Sequence, residues 1–195
     1  MIRALTSLHD IVFSGLERIT VPVMTTLARF IFAATLLGYY WNSGATKLGD
    51  GVLGFLFPSD GAYIQIFPKT IEAIGYDFSQ LGAFHWAVVT AGTWAEFILP
   101  LLIVLGLFTR LAALGMIGFV AVQSWVDIFG HGGLANGTLG AWFDRVPDSL
   151  ILDQRAFWMF VLAYLVLRGG GPLSVDRVLR SGASARQADP QPAQG

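Results

Sequence analysis

Apolar residues recur along this chain in two rhythms. Near the start, Ile2, Leu5, Leu8, Val12, Leu16 and Ile19 fall three or four apart with charged residues between them. That spacing predicts an amphipathic helix lying on a membrane surface over residues 1–20. Beyond it the polar positions thin out, and four stretches become apolar enough to cross a bilayer: about 23–41, 84–105, 111–130 and 152–168. The fourth is the shortest, because its apolar core runs only from Ala156 to Leu167 and must include Leu150–Asp153 to span. Backbone in lipid has to satisfy its own hydrogen bonds, so each stretch is expected to be a helix. The fold class is therefore all-α, a four-helix transmembrane bundle with an N-terminal amphipathic interfacial helix, the bundle occupying residues 21–180.

The connections differ in kind. Residues 48–82 contain aromatic, acidic and turn-forming residues in apolar runs too short to cross, which predicts an outer loop with short helices against the mouth of the bundle. The link Gly106–Arg110 is short enough to force an antiparallel hairpin. The link His131–Asp153 is Gly-rich. Residues 181–195, small, polar and Pro-containing, read as a disordered tail. No cleavable signal segment is expected, because charges interrupt the first twenty residues.

Composition agrees with the membrane reading. The chain is 54% hydrophobic and only 13% charged, too few charges to solvate a globular surface. With a net charge of −1 and no basic stripe, nucleic acid is excluded as a partner. With no cysteine there is no thiol redox chemistry, no disulfide and no Cys-ligated metal. Arg168, Arg177, Arg180 and Arg186 follow the last span, Arg3 and Arg18 precede the first, and Arg110 sits in the short hairpin. Both termini are accordingly expected in the cytoplasm.

Ionisable residues inside the spans need a partner or a task. Arg29 lies about six residues inside the first span and Glu96 about nine residues from the cytoplasmic end of the second, roughly 9 and 14 Å deep. An Arg29–Glu96 pair is the expectation. Pro100 removes the hydrogen bond to the Glu96 carbonyl and adds a polar atom at the same depth. Such a centre would hold a proton or a ligand, or would only fix helix register. At the other end of the bundle, His85, Asp127, His131, Arg155 and Lys47 form an expected outer-mouth cluster, with Asn42 and Asp153 at the same level. His85, Asp127 and His131 are weak candidates for zinc or copper. The plainer reading pairs Asp127 with Arg155 and leaves both histidines at helix ends. The six tryptophans suit an interfacial belt. The spacings Ala34 to Gly38 and Ala91 to Ala95 offer small faces for close helix approach.

Three segments carry a family resemblance: "ARFIFAATLLGYYWNSGATKL" (Ala28–Leu48), "AEFILPLLIVLGLFTRLAALGM" (Ala95–Met116) and "GGGPLSVDRVL" (Gly169–Leu179). In their order and spacing the chain resembles the DoxX family of small four-helix bacterial membrane proteins. The long first loop and the N-terminal helix depart from a minimal member, and the Cys pairs of redox-active relatives are missing. The resemblance implies the bacterial inner membrane and association with redox, oxidative-stress or copper-handling systems. One branch is similar to a subunit of a thiosulfate:quinone oxidoreductase. The leading expectation is thus a non-catalytic accessory or partner-binding component, touching lipid and a membrane or periplasmic protein, with a homo-oligomer as a further option. No cofactor is evident, although a quinone is possible. A quinone-linked oxidoreductase subunit and a small proton-coupled transporter are the alternatives.

Overall fold

A computed structural model describes residues 2–187; among them every regular element is helical. Helix α1 (Ile2–Phe32) passes through a π-helical turn (Ala33–Leu37) into α2 (Gly38–Ala45). Short helices α3 (Asp60–Ile66) and α4 (Pro68–Ala73) follow, then α5 (Ala83–Leu105) and α6 (Thr109–Trp125). A π turn (Val126–Gly130) extends α6, another (Leu150–Arg155) leads into α7 (Ala156–Arg168), and α8 (Val175–Gln187) ends the described chain. Four stretches are long and apolar enough to cross a membrane: Ile19–Ala45, Ala83–Leu105, Thr109–Gly130 and Leu150–Arg168. This is a multi-pass membrane protein.

The spans pack in a ring, α5 on α6, α6 on α7, α7 on α1, and α2 back on α5. The core is apolar from all sides: Phe32, Leu36 and Tyr40 from the first span, Ile103 from α5, Met116 and Val120 from α6, Leu162 and Leu165 from α7. Large apolar side chains such as Phe30, Leu101, Leu114 and Phe160 point outward. An exterior of this kind belongs in lipid.

The end of the bundle that carries both termini is closed by a polar knot. Gly106 ends α5 in the left-handed conformation, with Gly106 N–H donating to Ile103 O and Leu107 N–H to Leu102 O. A β-carbon on Gly106 would stand 2.6 Å from Ser174 Cβ and 2.8 Å from Arg29 Cζ, so only glycine fits. Asp176 then reaches across and accepts hydrogen bonds from Phe108 N (2.7 Å), Thr109 N (2.9 Å) and Thr109 Oγ1 (2.8 Å). It thereby caps the exposed amides at the start of α6 from another helix. Gly171 has φ +76°, and a β-carbon there would meet Thr25 Oγ1 at 2.1 Å. The three motif segments thus converge on one joint.

At the opposite end the first span stops early. Gly44 lies against the Phe97 ring, so α2 ends about midway along α5. The loop covers the rest of α5. The Trp94 indole donates to Phe55 O (2.7 Å) and the Trp86 indole to Leu56 O (2.8 Å). Trp94 lies roughly 17 Å along α5 from its first residue. The loop therefore packs down the side of the bundle as well as against its mouth, and these two indoles strap it in place.

Two boundaries differ from expectation. Helix α1 runs on without a break at residue 20, passing through Pro22, beside which the Thr25 and Thr26 hydroxyls donate to the Pro22 carbonyl (3.1 and 2.9 Å). Residues 181–187, expected to be disordered, continue α8. Their alanines, Arg186 and Gln187 favour helix, and the first proline comes only at Pro190. Residues 188–195 of that tail lie outside the described residues.

Candidate functional site

The expected Arg29–Glu96 pair does not form. Arg29 is buried and spends its guanidinium on backbone oxygens: Nε donates to Ile103 O (3.0 Å), Nη1 to Gly170 O (3.0 Å) and Leu173 O (2.5 Å), and Nη2 to Val104 O. The reason is directional. Side chains lean toward the N-terminus of their own helix. The first span and α5 run antiparallel, so Arg29 leans toward the terminal end and Glu96 away from it. Similar depth does not bring them together.

Glu96 meets Lys47 instead. Lys47 Nζ stands 3.0 Å from both Glu96 oxygens, and Ser43 Oγ bridges them, accepting from Nζ at 2.8 Å and donating to Glu96 Oε1 at 3.1 Å. The side chains are only 7% and 4% exposed, so this is a buried pair. Lys47 reaches it because it follows α2 immediately where that helix stops beside Glu96. Pro100 is buried one turn further along α5, and the Phe97 carbonyl between them accepts from the Trp41 indole (3.2 Å).

Across the bundle, Arg155 pairs with Asp127. Nη2 donates to Asp127 Oδ2 at 2.5 Å and Nη1 to Ser124 Oγ at 2.9 Å. Both members sit in π turns, Val126–Gly130 and Leu150–Arg155, where the widened helix re-aims one residue inward. Arg155 is 2% exposed, yet its Nε has no hydrogen-bond partner. Its guanidinium also lies 5.9 Å from the Trp158 ring centre.

Both pairs face one cavity of about 570 Å³. The polar part of the wall adds Tyr39, Gln123 and His131 to the paired residues. Gln123 donates to the Tyr39 hydroxyl (3.0 Å) and accepts from that of Tyr40 (3.3 Å). The apolar part follows the seam between α5 and α6, with Ala91, Ala95 and Leu99 facing Gly115, Gly118 and Val122. Ala91, Gly115, Gly118 and Val122 are exposed, so the cavity is open along that seam. Gly38, expected to bring helices close, instead leaves space, since a β-carbon there would touch nothing within 4 Å; the same holds for Gly118 in this seam.

Of the outer-mouth residues, the cavity gathers Lys47, Asp127, His131 and Arg155 and leaves out His85. The His85 ring packs edge-on against Phe67 at 5.0 Å, and its Nδ1 accepts from Gly82 N–H (3.3 Å). His131 Nε2 lies 2.9 Å from Gln65 O. Among the described residues no three His, Cys, Asp or Glu side chains converge as a metal-ligand set. Ser43, Tyr39 and Gln123 were missed as site residues. The sequence signal for Ser43 was its place one turn before Lys47; the other two carried none apart from being polar within a span.

The DoxX family model matches residues 24–127, more than half of the chain. The chain belongs to the DoxX family. The matched region holds Arg29, Lys47, Glu96, Pro100 and Asp127, while Arg155 and the Gly169–Leu179 segment lie beyond it. No curated protein and no solved structure matches the chain.

Proposed function

We propose that this DoxX-family protein is a membrane-embedded binding component, non-catalytic in itself, whose cavity holds a small lipid-soluble molecule. One observation carries the reading: Arg155 Nε is a buried donor left unsatisfied beside a ligand-sized space. Every other guanidinium nitrogen of Arg155 has a protein partner. An acceptor atom on a ligand would complete the set. Lys47 offsets Glu96 and Arg155 offsets Asp127, so an uncharged ligand suits the site. The lateral opening between α5 and α6 suits access from the bilayer. A quinone head group meets all three conditions, being flat, neutral and rich in carbonyl acceptors. It is also the ligand that the resemblance to a quinone-linked branch brings forward. In this reading the protein sits in the bacterial inner membrane with its arginine-rich terminal end in the cytoplasm and serves a redox or stress system through a protein partner.

The test is titration of the purified protein with menadione and with short-chain ubiquinone, followed by tryptophan quenching. Saturable binding is expected in the wild type. Gly118→Leu fills the cavity from a position with open space around it, and should weaken binding at least about tenfold. Non-saturating quenching of equal size in both proteins would end the proposal.

A further inference from the structure

The terminal end of the bundle holds a second hollow, of about 430 Å³, unrelated to the cavity. Arg110 at the start of α6, Arg168 at the end of α7, and Arg177 and Arg180 on α8 all line it. Helices distant in sequence thus deliver four guanidinium groups to one place. The acid among the lining residues is Asp176, whose oxygens already serve Phe108 and Thr109. The side chains of Arg110, Arg168 and Arg177 make no hydrogen bond or ion pair with any described residue, so their charge is uncompensated. Between α7 and α8 the hollow is floored by Gly169–Gly171, where the Gly170 and Gly171 N–H groups donate to no described acceptor. Gly169 and Gly171 take φ +79° and +76°, which lets this link turn tightly between the two helices.

The surroundings identify the depth. Leu111 beside Arg110 and Leu167 beside Arg168 are 69% and 72% exposed, as lipid-facing residues are. On α8, Val178 and Leu179 are exposed next to Arg177 and Arg180, the pattern of a helix lying in the interface. The arginines therefore stand where the apolar exterior ends, at the level of lipid phosphates.

We propose that this hollow binds the phosphate of an anionic phospholipid. A phosphodiester offers two terminal oxygens that a guanidinium fork meets in pairs, and anionic lipids raise the local concentration that such a basic site draws on. The bound lipid would tie α8 to the ends of α6 and α7. Phosphatidylcholine carries the same phosphate beside a quaternary ammonium that the arginines repel.

The full-length detergent-purified protein is titrated with phosphatidylglycerol and with phosphatidylcholine of identical acyl chains, and bound lipid is counted by native mass spectrometry. Phosphatidylglycerol is expected to bind more tightly by about tenfold or more. Arg110→Gln and Arg168→Gln should each cut that preference about fivefold, with the lysine variants in between. Arg145→Gln, an exposed change in the distant 131–149 link, should leave it unchanged. Equal retention of the two lipids, or a preference indifferent to both glutamine variants, would overturn the proposal. Displacement of the lipid by millimolar inorganic phosphate would overturn it as well, since the site would then serve a soluble anion.

Discussion

The protein buries two arginines inside its spans, one toward each end, and they are used in opposite ways. Arg29 donates from Nε, Nη1 and Nη2 to four backbone oxygens in two chain segments, the end of α5 and the link between α7 and α8. Every guanidinium nitrogen is engaged by the protein itself. Arg155 is more completely buried, yet it hydrogen-bonds only Ser124 and Asp127 and leaves Nε unsatisfied, in the wall of a cavity. A buried cation whose nitrogens are all engaged by backbone oxygens acts as a joint. One with a spare donor beside a cavity is what the proposed ligand would complete. The same contrast holds for glycine. Gly106 and Gly171 are fixed by atoms that leave no room for a β-carbon, whereas Gly118 faces open space.

The sharpest way to break the comparison is at the joint. Arg29→Met strands the carbonyls of Ile103, Val104, Gly170 and Leu173, and should cost about 5 kcal/mol in reversible unfolding in mixed micelles. Arg29→Lys should recover only part, because an ammonium cannot fork toward carbonyls on several segments. The Lys47–Glu96 pair sharpens the contrast. Lys47→Met alone leaves a buried carboxylate without its cation and should cost about 3 kcal/mol. Adding Glu96→Met should return stability to within about 1 kcal/mol of wild type, because a buried ion pair replaced by apolar side chains is close to neutral. If the double variant stays as unstable as the single one, the pair belongs with the joint and not with the cavity. Gly118→Leu comes next, and its sign is opposite. It replaces a helical glycine facing empty space and should raise stability by up to about 1 kcal/mol while blocking the cavity. A loss of stability there would mean that the space is filled in the folded protein.

The four spans were legible because long apolar runs have one solution in lipid, and their observed limits, such as Ile19–Ala45 for an expected 23–41, differ by about four residues or fewer at each end. The Asp127–Arg155 pair was legible too, since both stand at the same end of neighbouring spans. The partner of Glu96 was not. Depth along a helix can be counted in residues, but the lean of side chains toward opposite ends separates Arg29 from Glu96 and favours Lys47, which lies outside the helix proper. The cavity was less legible still. It opens beside Gly118, where a β-carbon would touch nothing, while a β-carbon on nearby Gly115 would press on Leu99 at 3.1 Å, so small residues announce close packing and empty space with the same letters. The three motif segments could be named, but not the reason they occur together, because only folding shows that Arg29, Gly106, Gly170 and Asp176 share one joint.

The smallest expected effect is a pH dependence confined to that joint. Burial alone would push the Asp176 carboxyl up, but hydrogen bonds from the Thr109 amide and hydroxyl and the Phe108 amide outweigh it, with Arg180 nearby adding to the effect. The carboxyl is held below the ordinary carboxylate range. Its folded-state value therefore lies under its unfolded one, so its contribution is complete above about pH 4 and fades as pH falls through the folded value. The wild type should lose stability on acidification in that range, and Asp176→Asn should be less stable at neutral pH but show a shallower acid slope. Equal slopes in the two proteins would mean that the cap on α6 does not depend on the charge of Asp176, and that the amides of Phe108 and Thr109 are held as well by a neutral acceptor.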